Sequence, residues 1–241
     1  MISLILLIIF NLNFTFAEPE ICLNFLDQKN DLSESQANAY LINMKANSFN
    51  LSRTKYFHRN PIVPKEIWRI RIPFIAAKNF EVASLYILHN YNLLPLNLKT
   101  AIELNVLITQ NLVPAKNIGL YNYRLFPEHI NEAVPFNSDP KAFYNWLLSL
   151  EALRLFETNP IELAEIAHNT ISALDSFPDG NGRLARLFAD LILLKAGLAP
   201  AYYDNISEYF IRGNPRSFVS REERKAYFHE VVFKGQVFKS N

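Results

Sequence analysis

The chain has 241 residues, of which 50% are hydrophobic and 20% are charged, and its formal net charge is +1. An apolar fraction of this size can form a buried core, so a disordered chain is excluded. A net charge so close to zero gives no general attraction for a polyanion, so we predict no nucleic-acid partner. The single cysteine excludes an internal disulfide and a cysteine-rich zinc site.

The N-terminus carries an apolar run over residues 2–10, with no charged side chain before Glu18. The run is shorter than the ~20 apolar residues that a membrane-spanning helix needs, so we predict no stable membrane span. It is typical of the hydrophobic region of a secretory signal, so residues 1–17 are interpreted as a signal peptide and the protein as secreted or exported. The basic segment that usually precedes such a region is missing, and the alternatives are a cytoplasmic protein with a buried N-terminal helix or a misassigned start of the chain.

Helical spacing of apolar residues dominates the first half of the remaining chain. The pattern predicts helices at residues 33–46, 76–91 and 96–112. The proline-containing stretch at residues 53–71 is interpreted as an irregular connector. Residues 18–95 contain no catalytic motif and are interpreted as an N-terminal helical extension.

The second half begins with a segment of different character. Residues 119–140 mix aromatic, β-branched and turn-forming residues, which predicts a small β-hairpin or an extended flap. Further helices are predicted at residues 140–156, 160–174, 183–197 and 220–232, followed by a tail at residues 233–241. The helix at residues 183–197 is apolar nearly all round, so we expect it to be central and buried.

The start of the helix at residues 160–174 has the clearest signal in the chain. Asn159 suits the N-cap, and Pro160 suits the first helical position. Glu162 is expected to reach back to the cap.

The string DSFPDGNGRLAR, residues 175–186, lies between the two most clearly predicted helices. A tight turn containing Gly180 and Gly182 feeds a helix N-terminus there, so several backbone N–H groups point to one place. Such an arrangement, together with the helix dipole, favours an anion.

Charged side chains of the same string match that prediction. Arg183 and Arg186 are three residues apart on one helix face, so both guanidinium groups can reach the same anion. Asp179 stands beside the turn and can hold Mg²⁺, which prefers carboxylate and phosphate oxygens. The set therefore predicts a site for a di- or triphosphate. The alternative is an ordinary helix–loop–helix with a glycine turn and surface arginines.

The string resembles the signature of the Fic (Fido) family, His-x-Phe-x-(Asp/Glu)-Gly-Asn-Gly-Arg-x-x-Arg. The residues that match in order and spacing are Phe177, Asp179, Gly180, Asn181, Gly182, Arg183 and Arg186. The flanking helices are similar too, and the resemblance covers roughly residues 96–232. It implies an all-α Fic core with a small β-hairpin flap over the loop.

The resemblance also implies an activity, since Fic proteins typically transfer AMP from ATP to a hydroxyl of a target protein. By this resemblance the backbone of residues 180–182 and the Asn181 amide would stabilise the α and β phosphates. Asp179 would hold Mg²⁺, and Arg183 and Arg186 would bind the β and γ phosphates. The flap, within residues 121–135, would align the target segment by strand addition. The implied partners are Mg·ATP and an unidentified target protein.

One position departs from the family pattern. The catalytic His of the signature falls at Asp175 in this chain. A histidine with its ordinary pKa of about 6.5 is a better proton acceptor at neutral pH than an aspartate, whose ordinary pKa is about 3.9. Asp is also shorter, and its negative charge faces the incoming phosphates.

Several interpretations of Asp175 stay open at this point. It orients the target hydroxyl, as an Asp does in protein kinases, or it holds a metal ion together with Asp179. Alternatively, the chain is a catalytically inactive Fic-fold module that binds nucleotide or a protein partner. His168 lies seven residues before Asp175, about 10 Å along a helix, which is too far for it to replace the missing His. We interpret His168 as a packed, hydrogen-bonded core residue.

Overall fold

The computed structural model describes residues 32–46, 65–113, 118–119, 123–125, 133–135, 141–155, 159–215 and 217–238. The predicted signal peptide lies outside the described residues. The elements are α1 Glu34–Ala46, α2 Lys65–Asn90, α3 Leu98–Thr109, β1 Tyr123–Leu125, β2 Ala133–Pro135, α4 Ala142–Leu155, α5 Pro160–Leu174, α6 Asn181–Lys195, α7 Ile206–Glu208 and α8 Arg221–Phe238. The predicted all-α class is confirmed.

The central helix is α6, which contacts α5, α3 and α2. Its apolar side chains point in every direction around the axis, and none of those between residues 184 and 194 is more than 3% exposed. A helix that is apolar all round is stable only when other elements surround it. The predicted central position of this helix is therefore confirmed, and its first residues lie where α5 and α3 meet it.

The N-terminus of α5 follows the predicted cap in part. The Asn159 side chain accepts a hydrogen bond of 3.0 Å from the Ile161 N–H, and Pro160 is the first helical residue. Glu162 does not reach back to the cap. Its carboxylate instead accepts a 2.7 Å hydrogen bond from the Lys225 ammonium group on α8, because packing of α8 against α5 brings a cation within its reach.

The predicted connector at residues 53–71 is wrong over its last seven residues, because α2 begins at Lys65 and continues to Asn90. Pro64 directly precedes the first helical residue, and Pro73 lies inside the helix. The prolines suggested a break, since an interior proline removes one backbone hydrogen bond. Contacts of α2 with α1, α3 and α6 stabilise the helix regardless of that loss.

The predicted hairpin is present as two short antiparallel strands. Tyr123 pairs with Pro135 and Leu125 with Ala133, and both strands fall within residues 121–135.

A feature that the sequence pattern did not predict follows α7. Residues Tyr209–Gly213 form one π-helical turn, and Tyr209 is only 3% exposed. Gly213 packs so closely that a Cβ there would lie 2.7 Å from Tyr227 Cε1 and 2.9 Å from Tyr209 Cδ2. A short irregular turn therefore inserts an aromatic ring into the core.

Within the described residues, no helix has both the length and the hydrophobicity that a membrane-spanning segment needs.

Candidate functional site

The loop between α5 and α6 is bounded by two residues with left-handed backbone conformation. Asp175 ends α5 with φ 51° and ψ 44°, and its N–H donates to the Ile171 carbonyl. Gly180 is the N-cap of α6 with φ 83°. A Cβ at Gly180 would lie 3.0 Å from Thr109 Cγ2 and 3.1 Å from Ile108 Cδ1 on α3. Gly180 therefore suits its position because there is little room for a Cβ and because φ is positive. Asp175 is tolerated at its own positive φ because Asp is one of the few non-glycine residue types that adopt such angles readily.

The Asn181 amide closes this loop on itself. Its Oδ1 accepts from the Phe177 N–H at 2.9 Å, and its Nδ2 donates to the Phe177 carbonyl at 2.7 Å. The Phe177 ring is fully buried and meets the Phe143 ring edge-on, with centroids 5.6 Å apart. On α3, Asn105 Nδ2 donates to the Asp179 carbonyl at 2.9 Å. These contacts define the loop's shape, and a role of the Asn181 amide in phosphate binding stays a prediction.

Arg183 is directed towards α3 and Asp179. Its Nη1 donates to the Ile108 carbonyl at 2.7 Å, and its Nη2 lies 3.0 Å from Asp179 Oδ2. Burial lowers the pKa of the Arg183 guanidinium, while Asp179 acts in the opposite direction and nearby Arg186 adds to the lowering. Arg183 is therefore anchored, and its charge is balanced by a carboxylate.

Arg186 has a different environment one turn further along α6. Its side chain is buried, and its Cζ lies 5.0 Å from the centroid of the Tyr209 ring and 5.8 Å from that of Phe80. Its Nη1 lies 3.9 Å from the position of a Cβ on Gly182, so the guanidinium extends back to the first turn of α6, as helical side chains do. Among the described residues, no carboxylate forms an ion pair with Arg186, and its Nε has no hydrogen-bond partner.

The first turn of α6 adds further positive potential. Gly180 provides no side-chain cap, and the first N–H groups of any helix have no partner within the helix. The helix dipole places partial positive charge at the same end. The backbone at Asn181 and Gly182 and the Arg186 guanidinium therefore form a region suited to an anion.

Asp190, which the sequence reasoning missed, lies one turn after Arg186. It is fully buried, and its Oδ1 accepts a 3.0 Å hydrogen bond from the Ala201 N–H. Burial raises the pKa of Asp190 to about 8, while the Ala201 N–H and Arg186 act to lower it. The carboxyl is therefore mainly protonated at neutral pH and does not neutralise Arg186. An acidic residue inside an otherwise apolar helix, four residues after an arginine, was the available signal.

His168 is a core residue, as predicted. Its side chain is 1% exposed, and its Nε2 shares a 3.0 Å hydrogen bond with the Tyr209 hydroxyl. Burial, helped by Arg186, lowers the pKa of His168 to about 3. The ring is neutral at physiological pH and is a poor proton acceptor, so it offers no substitute for the missing His at Asp175. Asp175 itself is partly buried at the end of α5.

Asp179 is the predicted metal ligand of the loop. Its Oδ1 accepts from the Gly180 N–H at 2.7 Å and its Oδ2 from Arg183. A carboxylate has about four lone-pair sites, so each oxygen retains capacity for one more partner. No group of three or more His, Cys, Asp or Glu side chains suited to a metal occurs in the part of the chain that the structure describes. A single carboxylate fits Mg²⁺, which combines one or two carboxylates with phosphate oxygens and water.

Comparison with known families places this loop and its flanking helices within the match to one family model. Residues 95–193 match the model of the Fic/DOC family. These residues form a Fic/DOC family domain. The match includes α5, the loop and most of α6, and therefore the side chains of Asp175, Asp179, Asn181, Arg183 and Arg186.

Three protein adenylyltransferases match about a third of this chain. The protein adenylyltransferase Fic of Nematostella vectensis is 36% identical over 83 residues, which cover 32% of this chain and 19% of the relative. The protein adenylyltransferase fic-1 of Caenorhabditis elegans is 36% identical over 74 residues, which cover 31% of this chain and 13% of the relative. The Fic of Aedes aegypti is 34% identical over 86 residues, 32% of this chain and 16% of that protein. The chain therefore covers less than a fifth of the length of these relatives.

Solved structures share the fold over most of the chain. A Fic domain containing signaling protein from Bacteroides thetaiotaomicron aligns with a TM-score of 0.55 at 16% identity, covering 90% of this chain and 93% of that one. Residues 134–508 of C. elegans Fic-1 align with a TM-score of 0.52 at 18% identity, covering 91% of this chain and 68% of that one. At these identities the likeness concerns the fold alone.

Proposed function

We propose that the Fic domain binds the phosphates of ATP at the first turn of α6 and transfers AMP to a hydroxyl of a target protein. The observation that carries the proposal is the buried charge of Arg186, which has no carboxylate partner in the described chain and lies beside an uncapped helix N-terminus. A buried charge without a partner is costly, so it indicates a ligand of opposite charge. The relatives called protein adenylyltransferases support AMP transfer.

The roles of the site residues follow from their positions. The N–H groups of Asn181 and Gly182 would bind phosphate oxygens, and Arg186 would balance their negative charge. Asp179 would hold Mg²⁺, which neutralises charge on the phosphates when it is bound. Arg183 would act mainly by keeping Asp179 in place, because its Nη1 and Nη2 already donate to the Ile108 carbonyl and to Asp179.

In this proposal Asp175 orients the target hydroxyl. AMP transfer forms a bond between the hydroxyl oxygen and the α-phosphorus and releases pyrophosphate. Such reactions depend mostly on positioning and on stabilisation of charge, so a weak base at this place is compatible with slow transfer.

The first test is a calorimetric titration of the full chain with Mg·ATP. We expect the native chain to bind and Arg186→Leu to lose binding, because the substitution removes the unpaired charge but suits the apolar rings around it. Lys195→Leu, at the opposite end of the same helix, is the matched control and should bind like the native chain. Absence of binding by the native chain, or equal affinity in Arg186→Leu, would contradict the proposal.

A second candidate function is a catalytically inactive Fic module that binds nucleotide or a protein partner. The observation that favours it is Asp175 in place of the family's His. The exchange Asp175→His tests it, because histidine, like aspartate and asparagine, is enriched at positive φ and should preserve the end of α5.

We expect the native chain to label target proteins with AMP slowly and Asp175→His to do so at least about tenfold faster, because a well-matched general base contributes roughly 10²–10⁴-fold. The matched control Asp175→Asn, which keeps the size but not the charge, should abolish labelling. A native chain without labelling that gains it in Asp175→His would instead identify the inactive module.

A further inference from the structure

We propose that Asp190 is a positioning residue for Arg186, and that binding of a phosphate ligand at the first turn of α6 is coupled to protonation of the Asp190 carboxyl. The protonated carboxyl leaves the guanidinium at the first turn, whereas the ionised carboxylate draws it away. This inference rests on the proposed function, because it concerns the affinity of the same phosphate site.

The geometry of α6 brings the two side chains together. Arg186 and Asp190 are four residues apart, so they lie on the same helix face, and both are at least 95% buried. Asp190 Oδ1 is held by the Ala201 N–H, whereas its Oδ2 has no hydrogen-bond partner among the described residues. Asp190 Oδ2 is therefore the oxygen that can attract the Arg186 guanidinium on the shared face of α6.

Two anions would compete for one guanidinium. Arg186 extends towards Gly182 and the first turn, which is the N-terminal direction along the helix, while Asp190 lies in the C-terminal direction. A negative charge on Asp190 would attract Arg186 strongly, because charges interact more strongly in a buried environment than in water. The same charge would repel a bound phosphate. Both effects lower the affinity for phosphate when Asp190 loses its proton.

Asp190 ionises within a pH range that experiments can reach, because burial raises its pKa to about 8. Other titratable groups face the pair from the surrounding elements: His168 on α5, Tyr203 before α7, Tyr209 on the π-helical turn and Arg183 on α6 itself. Tyr227 on α8 packs behind Tyr203, with ring centroids 6.3 Å apart. Burial lowers the pKa of His168 to about 3 and raises the pKa values of Tyr203 and Tyr227 well above their usual range. These three residues therefore keep their neutral form while Asp190 titrates.

The first experiment needs no ligand. The side-chain Nε–H resonance of Arg186 is followed by NMR from about pH 6 to 10 in the native chain and in Asp190→Asn. The amide of the variant keeps the shape of the carboxyl but cannot ionise. We expect a titration step of the Arg186 signal near the pKa of Asp190 in the native chain and no such step in Asp190→Asn. An Arg186 signal that does not titrate in the native chain, or titrates equally in both, would overturn the inference.

The second experiment measures the dissociation constant for Mg·ATP at pH 7 and pH 9. If the ionised form does not bind, proton linkage with a pKa of about 8 predicts roughly a tenfold weaker affinity at the higher pH. The last ionisation of the phosphates, at a pKa of about 6, is complete before this range. Asp190→Asn should bind with the affinity of the native chain at pH 7 and lose little of it at pH 9. An equal loss of affinity in the native chain and in Asp190→Asn would overturn the inference.

The two experiments separate this inference from the proposed function. Absence of ATP binding at both pH values contradicts the proposed function, and the coupling of Asp190 to Arg186 is then decided by the NMR titration alone. Binding of ATP that is insensitive to pH supports the proposed function and overturns the role of Asp190.

Discussion

At the scale of single residues, two arginines on one helix have opposite environments. Arg183 donates to the Ile108 carbonyl and pairs with Asp179, whereas Arg186 lies against the Tyr209 ring without a carboxylate partner in the described chain. The first guanidinium stabilises the loop, because its hydrogen bonds satisfy buried acceptors. The second carries charge that the chain itself does not balance. The spacing of the two arginines in the sequence indicated that they share a helix face. It did not indicate that a carboxylate neutralises Arg183 and not Arg186.

The pair formed by Arg183 and Asp179 should be important for stability. The two side chains are 4% and 10% exposed, and removing one partner of a buried pair costs about 3–5 kcal/mol. We therefore expect Arg183→Met to lower the free energy of unfolding by about 3 kcal/mol in urea denaturation, since the Asp179 carboxylate would lose its counter-charge.

A double variant provides the control for this prediction. Adding Asp179→Asn to Arg183→Met should recover part of the lost stability, because the isolated negative charge is then removed. A loss below about 1 kcal/mol in Arg183→Met would mean that the pair behaves like an exposed ion pair.

At the scale of secondary-structure elements, the N-terminus of α6 defines the site. The left-handed Gly180 ends the loop and provides no side-chain cap, and Arg186 extends back to within 3.9 Å of the Cβ position of Gly182 in the first turn. The π-helical turn after α7 contributes the Tyr209 ring that covers the guanidinium. Capping signals predicted where α5 starts, but an isolated π-helical turn has no comparable pattern in the sequence.

Gly182→Ala tests whether this N-terminus binds phosphate. The added methyl group meets no atom closer than Arg186 Nη1 at 3.9 Å, and alanine favours a helix more than glycine. We expect a thermal unfolding midpoint equal to or above that of the native chain. The affinity for Mg·ATP should fall at least about tenfold, which corresponds to about 1.4 kcal/mol, because the methyl group narrows the space between the first-turn amides and Arg186.

The exchange Lys195→Ala, at the other end of α6, is the control for Gly182→Ala and should leave the affinity for ATP unchanged. Undiminished ATP affinity in a correctly folded Gly182→Ala chain would exclude the first turn of α6 as the phosphate site.

At the scale of the whole molecule, one core surrounds α6 and connects it to residues far apart in the sequence. Phe80 of α2 and Tyr209 of the π-helical turn lie on either side of the motif in the chain, yet both rings lie close to Arg186. The π-helical turn and Ala201, which binds Asp190, follow the region that matches the Fic/DOC family. The environment of the site is therefore assembled from more of the chain than the matched domain.

The sequence by itself determined the helical class, the central position of α6 and the loop that carries the candidate site. Local periodicity, an N-cap and the spacing of glycines and arginines are properties of short segments, so they can be recognised without the fold. The tertiary structure alone decided which arginine is neutralised, that Asp190 is buried beside Arg186, and that His168 is neutral. Burial and charge pairing depend on residues that are distant along the chain, so a local pattern such as an acidic residue inside an apolar helix indicates a candidate but does not determine its charge.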